Sequence, residues 1–289
     1  MTVRRVVETI NAKPASDGDG VKLLRVFGGP SPERFDPFLM LDEFGSDEAS
    51  DYIGGFPPHP HRGFETVTYM LQGKMEHQDH MGNIGLLNDG DVQWMSAAGG
   101  VIHSEMPKQT EGRMRGFQLW VNLPAAKKMS PAHYSDVPAA HIPVFNIDGV
   151  HLKAIAGQAS VNGSGVTGHF TEVATQPLYL DIHLEQGQSI ALPVSATQTA
   201  LVYVYNGKVG IGEALTPVNA QQLARLADGE SIAVSNNDAE PAHLLVLAAE
   251  PLKEPIVQYG PFVMNTSEEI EQALADYRNG TLVNKAGAA

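Results

Sequence analysis

Short apolar stretches, broken by glycines and prolines, run the length of this chain, and the clearest of them alternate with a period of two. In Gly116–Leu123, Phe117, Leu119, Val121 and Leu123 fall on one face and Gln118, Trp120 and Asn122 on the other, before Pro124 stops the strand. Leu201–Gly207 is a β-rich run into an Asn-Gly turn. With 29 Gly and 19 Pro scattered among such runs, the pattern predicts many short strands joined by tight turns, an all-β barrel or sandwich. One segment changes period. Thr266-Ser267-Glu268-Glu269 is a capping box, with Ile270, Ala273, Leu274 and Tyr277 at helical spacing behind it and Gly280 to close the end. An amphipathic helix packed on a barrel is expected there.

Two stretches echo each other. Phe64–Gly73 and Ala200–Gly207 both run as a strand into a glycine turn. Asn88-Asp89-Gly90-Asp91 before Val92-Gln93-Trp94 resembles Ala227-Asp228-Gly229-Glu230 before Ser231–Val234. Two similar barrels in tandem explain both pairs. Their joint is expected in Pro131–Pro143, where Pro, Ala and Ser displace the alternation. The domains are therefore set at 1–135 and 136–289, the second carrying the helix.

A chain of 289 residues can build two cores of this size, and 43% apolar with 18% charged residues is a globular composition. No apolar run has the length of a membrane span, and Met1–Glu8 lacks the apolar stretch of a secretory signal. A soluble, cytoplasmic protein with no membrane partner is expected. The net charge of −14, without any Lys/Arg-rich segment, argues against direct nucleic-acid binding. Cysteine is absent, which excludes disulfides, thiol catalysis and thiolate metal sites. Any metal must sit on histidine and carboxylate.

Such a set is present. His59-Pro60-His61 places two imidazoles two residues apart, and His103-Ser104-Glu105 repeats the spacing further along. Residues i and i+2 of a strand share a face, roughly 7 Å apart at Cα, so each pair is a clamp on one side of an ion. Two clamps on neighbouring inward-facing strands supply four ligands: His59, His61, His103 and Glu105. Glu65 shares the parity of His61 but lies about 13 Å away along a straight strand, so it is placed behind the ligands or in a salt bridge with Arg62. Met75–His80, with His77 and His80 beside Glu76 and Asp79, is read as a solvated hairpin. His133, His141, His151, His169, His183 and His243 are read as isolated surface or core residues. Phe56 and Trp94 are candidates for the walls of a pocket.

These residues resemble the cupin superfamily and, within it, the pirin family. The first cupin motif is visible as Gly54, His59, His61, Glu65 and Gly73, the second as Gly90, Ser96 and His103. Ser96 replaces the usual Pro, Ala98 takes the place of a Gly, and the loop to His103 is longer. Pirin-like runs extend from Pro37–Phe44 through His59–Val67, Gly90–Met95, His103–Pro107 and Leu119–Pro124 to Glu250–Ile256 and Gly260–Thr266. The resemblance implies two tandem cupin (jelly-roll) barrels with a few short helices. It implies one metal site in the N-terminal barrel, typically iron, on His59, His61, His103 and Glu105, and a C-terminal barrel without metal. The ligand types suit Fe²⁺ and equally admit Mn, Co, Ni, Cu or Zn. The activity implied is that of a quercetin 2,3-dioxygenase, cleaving a flavonol with O2, with Glu105 taking the hydroxyl proton. The alternative is a non-catalytic, redox-sensitive iron protein that binds a protein partner.

Overall fold

The computed structural model describes residues 1–283, which fall into two compact units. One comprises Lys13–Ala139 with the segment from Leu252 onward, the other Met1–Ala12 with Ala140–Pro251. Each holds a seven-stranded and a four-stranded sheet whose pairings are all antiparallel. In the first unit the seven-stranded order is His133–Val137, Val92–Ser96, Phe64–Gln72, Met114–Asn122, Phe38–Ser46, Val21–Phe27, Lys13–Asp17. In the second it is Val6–Asn11, Gln222–Leu226, Thr199–Asn206, Ala242–Ala249, Leu178–Leu184, Val150–Ala156, Val144–Ile147. The expected all-β bicupin architecture is present.

Alternating residues of both sheets build each core. In the second unit Leu180, Ile182, Val202 and Leu244 from the larger sheet meet Ile190, Leu192, Ile232 and Val234 from the smaller. In the first, Leu23, Phe44, Met70 and Met114 meet Met75. Phe117, Leu119 and Val121 of the predicted alternating strand are all fully buried.

The segment boundaries differ from those expected. The change of unit falls after Ala139, inside the predicted joint, but each unit also takes in a distant segment. Val6–Asn11 pairs with Gln222–Leu226 and closes the edge of the second unit's large sheet. The C-terminal helix, Ser267–Arg278, belongs with the first unit, not the second. Its predicted capping box is formed: Thr266 Oγ1 accepts from Glu269 N–H at 3.2 Å, and Glu269 Oε2 accepts from Thr266 N–H at 3.1 Å. Its buried face, Ile270 and Ala273, packs on Phe262, Met264 and Leu282. A contiguous split fails because both chain ends cross over: the N-terminal strand completes an edge of the second unit's large sheet, and the C-terminal hairpin and helix pack in the first unit.

Of the two sequence echoes, the first is a true equivalence: Phe64–Gln72 and Thr199–Asn206 each lie third in their sheets. The second is displaced by one strand. Val92–Ser96 corresponds in sheet order to Gln222–Leu226, whereas Ser231–Ser235 lies second in the small sheet, as Val101–Pro107 does.

Lys128 fastens the C-terminal segment to the first barrel. Its buried ammonium donates to Gly63 O at 2.7 Å, Asn122 Oδ1 at 2.7 Å and Val263 O at 2.9 Å. Burial pulls its pKa down to about 8, against the opposing pull of Glu254, Glu269 and Asp36. A folded-state value below the unfolded one means that the unfolded chain binds more protons between about pH 8 and 10.5, so this lysine's contribution to stability rises across that window. Lys128→Met leaves three buried acceptors unmet and is expected to cost about 2–4 kcal/mol at neutral pH. The gap between wild type and variant, measured by urea denaturation, is expected to widen by about 2–3 kcal/mol from pH 8 to 10.5; a constant gap refutes the depressed pKa.

Candidate metal centre

The small sheet of the first unit runs Phe56–His61, Val101–Pro107, Met75–Asp79, Ile84–Leu87. Phe56–His61 holds Pro57, Pro58 and Pro60, which a strand tolerates only where a missing N–H costs no ladder bond, and it sits at the sheet edge. It pairs with Val101–Pro107 so that His103 lies opposite His59 and Val101 opposite His61. The register shifts between His103 and Glu105, bringing Glu105 opposite Phe56. In Val101–Pro107 the odd positions, Val101, His103 and Glu105, are the buried ones.

The two clamps therefore meet. The rings of His59, His61 and His103 have centroids 4.4–4.9 Å apart, and one donor nitrogen from each lies within 4.8 Å of the others. Burial, then the neighbouring imidazoles, holds His61 and His103 well below the ordinary histidine range. Burial thus favours the neutral form of both rings, the form that keeps a lone pair for a cation.

The polar atoms fit such an ion. His59 Nδ1 donates to Pro57 O at 2.8 Å, which leaves Nε2 as its donor atom. His103 Nδ1 lies 2.9 Å from His77 Nε2, and His103 Nε2 has no hydrogen-bond partner among the described residues. Neither nitrogen of His61 has one. Buried ring nitrogens are rarely left unpaired, and three imidazoles with donor atoms this close together can hold a metal ion. Glu105 is buried beside them but lies outside the set of donors within 4.8 Å of each other. Its Oε1 is 3.0 Å from Thr68 Oγ1, and Gln118 Nε2 stands 3.4 Å from Oε2.

Glu65 does not pair with Arg62. Phe56–His61 and Phe64–Gln72 are separate strands, and the chain turns between them at Gly63, where φ is +92° and a Cβ would drive into the Val263 carbonyl. Arg62 bonds instead to Asp276 at 2.7 Å and to the carbonyls of Gly99 and Leu282. Glu65 lies opposite Ser96, and burial raises its pKa to about 7, against the pull of Trp94 and Ser96.

Met75–Asp79 is no solvated hairpin. Met75, His77 and Asp79 point inward and are buried. Asp79 accepts from the backbone of Met81 and Asn83 and shapes the turn, while His77 stands against His103. The signal was available in the sequence: the three residues share one parity, with Glu76 and Gln78 on the other. Nor are His151, His183 and His243 isolated, because they face one another across adjacent strands. His183 and His243 stack ring on ring at 3.9 Å, an arrangement that turns their faces together and not their nitrogens.

His59, His61 and Glu105 line a cavity of about 660 Å³. Met40, Phe44, Phe56, Met75 and Trp120 supply apolar wall, and Asp17, Asp19, Arg25 and Asp42 supply charge. Phe56 is where the sequence placed it. Trp94 is not on the wall; Trp120 is. Arg25 grips Asp42 with two hydrogen bonds of 3.0 and 2.8 Å, and Gln258, Gly260 and Pro261 of the returning C-terminal segment complete the lining.

Residues 20–121 match the Pirin family, and residues 179–283 match the Pirin C-terminal cupin domain. A Pseudomonas aeruginosa protein provisionally named a quercetin 2,3-dioxygenase is 53% identical over 281 residues, 96% of this chain and 98% of the relative. Human pirin is 41% identical over 279 residues, 96% of this chain and 93% of its own length. The crystal structure of a quercetin 2,3-dioxygenase from Acinetobacter baumannii superposes with a TM-score of 0.89 at 33% identity, covering 98% of this chain and all of that one. Similarity of this extent leaves one assignment: the chain is a member of the pirin family of bicupins.

Proposed function

We propose that this pirin is a metal-dependent quercetin 2,3-dioxygenase, opening the heterocyclic ring of a flavonol with O2 and releasing carbon monoxide. The observation that carries the reading is the convergence of three imidazoles, His59, His61 and His103, with His59 and His61 on the wall of a largely apolar cavity. The names of the P. aeruginosa relative and the A. baumannii structure support the substrate class.

His59, His61 and His103 would hold the ion, with Glu105 as fourth ligand. Fe²⁺ is our assignment, and Mn, Co, Ni, Cu and Zn suit the same donors. The bound ion supplies Lewis-acid stabilisation of the flavonol 3-oxygen and a path for substrate electrons to O2. Phe44, Phe56, Met75 and Trp120 receive the aromatic rings and keep water from them. Glu105 takes the 3-hydroxyl proton. The Thr68 hydroxyl lies 3.0 Å from Glu105 Oε1 and 2.6 Å from Gln118 Oε1, and its one hydrogen serves one of them at a time. Glu105 can therefore release Thr68 to Gln118 without leaving a buried hydroxyl unpaired, which gives the carboxylate two resting states.

Fe²⁺-loaded protein mixed with quercetin under air is expected to bleach the flavonol band and evolve carbon monoxide. Chelation should stop the reaction and reloading restore it; a flavonol band that persists with every metal named above rejects the reading. Metal analysis of the purified His103→Ala variant is expected to find the ion largely gone beside a wild type near one equivalent. Glu105→Gln should keep turnover low, by about 10²-fold or more, even when metal is supplied in excess. Wild-type rates in that variant remove Glu105 from the chemistry.

A further inference from the structure

His77 reaches the centre from the strand on the far side of Val101–Pro107 from His59. Its ring is fully buried, 4.9 Å from that of His103, and Nε2 lies 2.9 Å from His103 Nδ1. Its other nitrogen, Nδ1, has no hydrogen-bond partner among the described residues. Met75 and Asp79, its neighbours on the same face, are accounted for by core packing and by the turn. His77 is not.

One hydrogen sits between the two imidazoles, so two neutral arrangements exist. If His77 Nε2–H donates, His103 Nδ1 accepts, the proton of His103 is on Nε2, and that nitrogen has no lone pair to offer. If His103 Nδ1–H donates, His77 Nε2 accepts and His103 Nε2 is a bare lone pair. Only the second arrangement can hold a cation. We infer that His77 is a positioning residue of the metal centre: accepting from His103 Nδ1–H, it fixes the tautomer and ring plane that present Nε2 to the ion. The inference rests on the metal reading above. It differs from the common arrangement, in which a ligating histidine leans on a carboxylate or a backbone carbonyl. A neutral imidazole gives the same orientation without adding negative charge behind the ligand.

Packing alone does not account for the residue. Burying a ring whose Nδ1 goes unpaired is unfavourable, and a leucine of similar bulk would fill the space without that cost. Among the described residues, the hydrogen bond to His103 is the one polar contact that its side chain makes in exchange.

The test is Co²⁺ alone, titrated into metal-stripped full-length protein against a chromophoric chelator, for wild type, His77→Leu and His77→Gln. Glutamine carries an amide oxygen near the place of Nε2 and can accept from His103; leucine cannot. His77→Leu is expected to weaken Co²⁺ binding by about 10- to 100-fold. His77→Gln is expected to stay within about threefold of wild type, with the wild-type visible Co²⁺ spectrum. Leucine binding as tightly as wild type overturns the inference, as does glutamine failing as far as leucine, which would make the effect one of packing. These outcomes leave the metal reading standing. A wild-type protein that takes up no Co²⁺ overturns both.

Discussion

The antiparallel register between Phe56–His61 and Val101–Pro107 is the constraint on which the site depends. Side chains alternate across a strand, so a slip of one residue in either partner would turn its imidazoles from the barrel interior to the outside. With His103 opposite His59, two short segments far apart in sequence put three donors within 4.8 Å of one another. Glu105 follows His103 by two residues in a strand whose pairing with Met75–Asp79 is unbroken. That alternation keeps its carboxylate buried on the face of His103, where it meets Thr68 and Gln118 of the opposing sheet.

Much of this was legible before any coordinates. Period-two alternation gave the strands, the His-x-His and His-x-Glu spacings gave the clamps, and Thr266 with Glu269 gave the helix start to the residue. What failed did so for identifiable reasons. Glu65 was measured along a straight strand, but Gly63 turns the chain before it, so its partners come from the neighbouring Val92–Ser96 strand. His77 was hidden by charged company: Glu76 and Asp79 made Met75–His80 look solvated, although parity separates His77 from Glu76. Trp94 and Trp120 were equally aromatic to sequence reasoning, and only strand position tells which one faces the cavity. The exchange of terminal segments between the units left no local signal, since it depends on contacts with residues far away along the chain.

The second unit shows the same framework without the two histidine clamps. Its small sheet runs Ser189–Pro193, Ser231–Ser235, Lys208–Ile211, Thr216–Asn219, in the order that the histidine-bearing strands hold in the first. In the strands corresponding to the two clamps, the inward residues are Ile190, Leu192, Ile232 and Val234, all buried in one aliphatic cluster. Filling that interior with branched aliphatic side chains gains transfer free energy of roughly 1.5–3 kcal/mol per residue. The buried imidazoles of His61 and His103, with unpaired nitrogens, gain far less. The first unit gives up part of its hydrophobic core to keep polar atoms pointed at one place.

That loss explains why the first unit gathers so many fastenings at the corner after His61. The Arg62 backbone N–H donates to Pro261 O, and its own carbonyl accepts from Val263 N–H. The Arg62 guanidinium spans Gly99, Asp276 and Leu282, while Gly63 N–H reaches Ala98 O and Lys128 holds Gly63 O. Ala98 makes this contact from a positive φ of 38°, a conformation usually left to glycine. These bonds tie the end of one clamp to the returning hairpin, to the C-terminal helix and the residues after it, to the loop before the other clamp and to the turn at Lys128. A site with weak apolar packing would otherwise let its ligand strands fray from the sheet edge, where Phe56–His61 has only one neighbour. The long excursion of the chain between Ala139 and Leu252 thus ends where rigidity is most needed. The last part of the chain holds in place a pair of histidines near the start.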